Sequence, residues 1–144
     1  VLMRRNPNPT PWTSWEFTVL QVLPAHADVP DSLQSDTAVE RHDGLEVALY
    51  RDEAEGYYLN LTSGGPVWFV MWRQDDADAS RAWPELVTLS YHEAARWLDA
   101  QERVDNVPLE GAVAQWLAEF TEAHYRPEPK HRKRPASFKP PSQR

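Results

Sequence analysis

Six consecutive large apolar residues, Val67-Trp68-Phe69-Val70-Met71-Trp72, constrain this chain more than any other feature. Successive side chains of a strand point to opposite faces, so a strand made of this run must be covered on both sides. The run is far short of the ~20 residues that a membrane-spanning helix needs. A layered fold is implied, with material above and below this strand. The chain has 144 residues, which suits one domain of roughly 100–150 residues with extensions.

Further strand patterns surround the run. Trp15 to Leu23 alternates large apolar with polar residues and is stopped by Pro24. Residues 24–44 hold two prolines, several acids and Gly44, and read as a long loop. Leu45 to Arg51 is a strand pattern, followed by an acidic turn, Asp52-Glu53-Ala54-Glu55-Gly56. Tyr57 to Thr62 reads as the next strand, Ser63-Gly64-Gly65-Pro66 as a turn, and Glu85 to Leu89 as a further short strand. Short connections make these an antiparallel meander.

Helical spacing takes over after Ser90. Tyr91, Ala94, Ala95 and Leu98 fall at i, i+3, i+4 and i+7, and Ser90 with Glu93 forms a capping box, so residues 91–101 are an amphipathic helix. Asn106-Val107-Pro108 punctuates. Leu109, Val113, Trp116, Leu117, Phe120 and His124 then mark a longer helix over 109–125. The expected fold is α+β: an antiparallel meander or partly closed barrel of about five strands, followed by two C-terminal helices. Residues 1–14, with Pro7, Pro9 and Pro11, are expected as an extended arm, 15–125 as a single domain and 126–144 as a flexible basic tail.

Charge divides along the same boundary. The formal net charge is −7. Arg126 to Arg144 carries seven Lys/Arg against Glu128 alone, giving +6, so residues 1–125, with 8 basic and 21 acidic side chains, carry −13. An acidic body with a basic tail points to interaction chemistry. Lys130, Arg132, Lys133 and Arg134 lie within five residues and are suited to an acidic protein surface, including the chain's own body, or to a polyanion such as nucleic acid. The tail lacks the base-stacking aromatics of a specific RNA reader, and an acidic body repels nucleic acid, so protein docking is the favoured reading.

The patterns for reaction chemistry fit poorly. There is no cysteine, which excludes disulfides, thiolate metal sites and thiol catalysis. His26, His42, His92, His124 and His131 are scattered, with no i, i+4 pair. Asp76, Asp78 and Ser80 imitate the start of a calcium loop, but Arg81 stands where glycine is needed and Val87 where a bidentate glutamate is needed. Gly64-Gly65 leads through Pro66 into a strand, whereas a phosphate loop leads into a helix N-terminus. Asp52, Glu53 and Glu55 beside Tyr57 and Tyr58 are the one candidate acid–base cluster, set against a solvated hairpin tip. Asn60-Leu61-Thr62 matches a glycosylation sequon but reads as an ordinary strand segment without a secretory signal. No cofactor and no metal are expected. Of the seven tryptophans, Trp68, Trp72, Trp97 and Trp116 are expected in the core, and Trp12, Trp15 and Trp83 as interface anchors.

Several longer stretches carry a family likeness. Residues 50–61 (Tyr50-Arg51-Asp52-Glu53 through Leu61), Trp68-Phe69-Val70-Met71-Trp72-Arg73, residues 87–97, residues 104–109 and His124-Tyr125-Arg126-Pro127-Glu128-Pro129 resemble a small uncharacterised bacterial family, a domain of unknown function. The opening Met3-Arg4-Arg5 with Trp12 and Trp15 is similar to the start of that family. Genes of the family tend to lie beside those of molybdenum- or tungsten-dependent formate dehydrogenases and their maturation factors. The resemblance therefore implies a non-catalytic accessory protein that docks on a formate dehydrogenase subunit or its maturation machinery. The alternative is polyanion or nucleic-acid binding through the tail. The chain begins on Val1, which leaves room for residues upstream, and no signal segment is visible, so a cytoplasmic location is expected.

Overall fold

The computed structural model describes residues 1–7 and 15–127. The apolar run forms strand β4 (Val67–Gln74), and both of its faces are covered. Trp68 and Val70 point into one cluster with Tyr57, Leu89, Val107 and Leu117. Phe69 and Met71 point into a second, closed by Ala94 and Trp97. β4 is the middle strand of a three-stranded antiparallel sheet, between β5 (Ala82–Thr88) and β6 (Arg103–Pro108). Helix α3 (Tyr91–Asp99) lies over the Phe69 face.

A second three-stranded antiparallel sheet stands on the Trp68 side. Its middle strand is β1 (Leu2–Pro7), flanked by β2 (Trp15–Gln21) and β3 (Val39–Arg41). Leu2 and Met3 are buried, so the first residues of the expected arm are extended and belong to the fold. A short helix α1 (Asp31–Gln34) precedes β3 within the expected long loop. The sheets meet through Phe17 of β2, whose ring lies 5.8 Å from Trp72. The Asp105 carboxylate of β6 also accepts from the Val19 amide of β2 at 3.3 Å. Helices α2 (Ala54–Leu61) and α4 (Gly111–His124) contribute Tyr57 and Leu117 to the shared core. The mixed α+β class is as expected, but the strands form two sheets rather than one five-stranded meander or barrel.

Three expectations for local structure change. Residues 54–61 are a helix, not a strand: an acidic leader feeds the helix N-terminus, and Ala54, Tyr57 and Asn60 are buried at helical spacing. Residues 45–50 alternate in burial as an extended chain does, yet they join no ladder. Asn106-Val107-Pro108, expected only as punctuation, ends a strand, Arg103–Pro108, that pairs along β4 from Trp72↔Arg103 to Val67↔Pro108. At the other edge, Pro84 of β5 coincides with a register shift beside Trp72, as suits a residue that cannot donate to a ladder.

Asn60 holds α2, β4 and the end of β5 together. Its side chain is 1 % exposed. Nδ2 donates to the carbonyls of Val67 at 2.9 Å and Leu89 at 3.0 Å, while Oδ1 accepts from the Val67 amide at 3.0 Å. Asn60→Ala leaves these backbone groups without partners and is expected to cost on the order of 3 kcal/mol, read as a lowered urea midpoint at unchanged m. Gly56 is the second tight point, because a Cβ there would overlap the Ser90 hydroxyl and lie 3.2 Å from the His92 amide. Gly56→Ala is expected to lower the melting temperature, although alanine is the better helix former by roughly 0.5–1 kcal/mol.

Candidate functional site

The acid and tyrosine cluster folds into the crossing of two helix starts. Ser90 caps α3 by accepting from the Glu93 amide at 3.2 Å. The return half of the expected capping box runs through Thr88: the Ser90 amide donates to Thr88 Oγ1 at 3.1 Å, and Thr88 donates to the Glu93 carboxylate at 2.8 Å. The Ser90 hydroxyl and the Arg96 guanidinium both donate to Glu53, which stands before α2. Burial opposes ionisation of Glu53, but these two donors and the Arg96 charge outweigh it and hold its carboxyl below the usual range. Glu55 faces His92 at 3.8 Å.

Tyr57 is 1 % exposed, and its hydroxyl accepts from the Tyr50 amide at 3.0 Å. Burial pushes its ionisation above the ordinary tyrosine value. Tyr58 points elsewhere and stacks on Tyr125 with centroids 4.5 Å apart. Glu53, Glu55, Tyr57 and Tyr58 therefore face different partners. Neither a hairpin tip nor a convergent acid–base pair is formed.

Asp78 and Ser80 of the calcium-like set, with Asp75 just before it, serve local geometry. Asp75 accepts from the Ala77 amide at 2.8 Å, and Asp78 accepts from the Ser80 amide at 3.1 Å, which fixes the loop between β4 and β5. Among the described residues no group of three metal-binding side chains comes together. No helix of the described residues is long and apolar enough to cross a membrane.

An apolar cleft lies beside helix α4. Helix α4 stands apart from residues 22–25 and 42–47, leaving a cleft of about 260 Å³. Val22, Leu45, Val47, Val87, Val113 and Trp68 give it an apolar lining. Asp43 and Glu110 also line it, and Trp116 stands with 43 % of its surface exposed. His42 lies between this cleft and a smaller one; burial pushes its imidazole below the ordinary range against the pull of Glu40. A pocket of this kind binds an apolar group and orients it with a few polar neighbours.

The tryptophans divide differently from the expectation. Trp68 and Trp97 are buried, and Trp72 is packed against the core, as expected. Trp116 is exposed instead. Leu117, Phe120 and His124 continue one stripe along α4 from Val113, while Trp116 lies about 100° from its neighbour Leu117. An apolar arc too wide for one core stripe was the available signal. Trp15 is half-buried with the Arg5 guanidinium 4.8 Å above its ring. Trp83 is half-buried and donates its indole N–H to Glu85 at 2.9 Å, beside a cleft of about 230 Å³ that Arg5 and Phe17 also line. Trp12 and the basic residues Lys130, Arg132, Lys133 and Arg134 lie outside the described residues.

Residues 1–134 match the family described as protein of unknown function (DUF3305), and the chain belongs to it. Neither the curated proteins nor the solved structures contain a match.

The Glu53 node has a definite acid signature. Its folded-state carboxyl titrates below the unfolded one, so its contribution is complete above the ordinary glutamate pKa of about 4.3 and is lost as pH falls through the lowered value. Glu53→Gln is expected to reduce stability at pH 7. It should also flatten the loss between about pH 5 and pH 3, as read by urea unfolding across that series.

Proposed function

We propose that this chain is a cytoplasmic accessory protein that acts by docking, without catalysis of its own, on a formate dehydrogenase subunit or on the machinery that matures that enzyme. The observation that carries the docking role is the apolar cleft beside α4, with the exposed Trp116 indole along it. Tryptophan is enriched among the residues that dominate binding energy, because it offers a large apolar area at little conformational cost. The choice of partner rests on the family resemblance and its gene neighbourhood. Trp12, Trp15 and Trp83 supply secondary contacts in this reading, and Lys130, Arg132, Lys133 and Arg134 draw the partner in electrostatically.

A second reading is favoured by the tail alone. Seven basic residues between Arg126 and Arg144 suit a polyanion. That reading predicts affinity for a labelled duplex that falls steeply with salt.

Co-purification of the tagged full-length chain from native cells at gentle ionic strength separates the two. Recovery of a formate dehydrogenase subunit or maturation factor is expected. Trp116→Ala should reduce that recovery by about tenfold, which corresponds to ~1.4 kcal/mol, without changing the melting temperature. Recovery of no such component with the full chain overturns the docking assignment.

A further inference from the structure

Residues 45–49 are an open strand. Leu45, Val47 and Leu49 pack on the core while Glu46 and Ala48 are exposed, which is the period-two alternation of extended chain. Among the described residues the segment has no ladder partner, and none of its backbone N–H or C=O groups makes a hydrogen bond. Its neighbours on both sides do: the His42 amide reaches Val1 O at 2.8 Å, and the Tyr50 amide reaches the Tyr57 hydroxyl. Unpaired backbone groups of this kind are a template for another strand.

Other strand edges of the molecule are blunted. The edges of β2 and β6 face each other, with the Asp105 carboxylate accepting from the Val19 amide, β5 carries Pro84 and a register shift, and β3 is three residues long. Residues 45–49 have none of these devices, and the cleft opens directly beside Leu45 and Val47.

We infer that residues 45–49 and the adjoining cleft form a strand-addition site for an extended, cationic segment of a partner protein. Backbone pairing holds the segment, and one of its apolar side chains enters the cleft between Val47, Val113 and Trp116. The sign of its charge follows from the rim. Among the described residues Glu46 and Glu110 have no ion pair and no Lys or Arg lines the cleft: Arg41 is tied to Asp43 at 2.8 Å and to the Ala25 carbonyl at 2.9 Å, and the exposed Arg51, two residues past the segment, is not part of the lining. A second copy of this chain is disfavoured as occupant, because it would bring another body of −13 charge against the same carboxylates. The inference rests on the docking reading and gives it a binding mode.

The test uses the purified full-length protein and a displayed library of random decapeptides. The expected consensus is an apolar residue at a fixed position with Lys or Arg beside it. A synthetic peptide of that consensus should slow hydrogen exchange at alternate amides of residues 45–49, the pattern of one-sided strand pairing. Trp116→Ala should weaken the peptide about tenfold, and Glu46→Lys should weaken it more at low salt than at high salt, with both variants melting as the parent does.

No enriched consensus, unchanged exchange at 45–49, or equal binding by Trp116→Ala would each overturn the assignment. Enrichment seen only with a full-length variant carrying Lys130→Gln, Arg132→Gln, Lys133→Gln and Arg134→Gln would make the chain's own tail the occupant and likewise overturn it. Co-purification that survives Glu46→Lys and Trp116→Ala would keep docking while removing this site from it.

Discussion

One carboxamide keeps the layers in register. Asn60 is held among apolar neighbours, and its donor and acceptor atoms face three backbone groups from two other segments. A buried amide left unpaired is costly, so the arrangement has few acceptable alternatives. Because Asn60 sits in the last turn of α2, it sets how far that helix stands from the start of β4. The Glu53, Ser90 and Arg96 cluster fixes the other end of the same helix against α3. Helix α2 is thus pinned at both ends by polar contacts, while Tyr57 between them supplies the apolar burial.

Arginine is the only cation of the body; every lysine of the chain lies beyond residue 129. The placed guanidinium groups work as struts. Arg4 meets Asp36 at 3.2 Å, Arg73 meets Glu102 at 3.1 Å, and Arg5 and Arg103 lie over Trp15 and Trp72. A planar fork of donors suits such contacts better than an ammonium does. Several cations are thereby engaged within the fold, and acids outnumber them across the body. The acidic character of this surface follows as much from where the arginines are held as from how many acids there are.

The parts of the fold that were legible in sequence are those in which local pattern and tertiary packing agree. β4 and its two-sided cover, the Ser90 cap and the helix above it, and the C-terminal helix follow from periodicity and capping chemistry. The failures have physical causes. Tyr57-Tyr58-Leu59-Asn60-Leu61 satisfies period two and is rich in aromatic character, yet the Asn60 contacts and the acidic leader favour a helix. β6 is polar enough to pass for a connection, because its pairing with β4 is carried mainly by backbone groups. The cleft was not visible at all: it forms from residues near 22, 45, 68, 87 and 113, which only the tertiary fold brings together. Trp116 was placed on the correct helix and on the wrong side of it.

The position of β1 also orders events in time. Its two partners come from residues 15–21 and 39–41, so all backbone pairing of the first sheet is available once Arg41 has been added. The apolar side chains that cover this sheet, such as Trp68, Val107 and Leu117, arrive much later. During synthesis, an early and partly paired sheet must therefore wait with its inner face bare while most of the chain is still to be made. The fold combines early pairing within the first sheet with long-delayed closure between the two, a topology in which collapse onto the second sheet, rather than strand pairing, sets the pace.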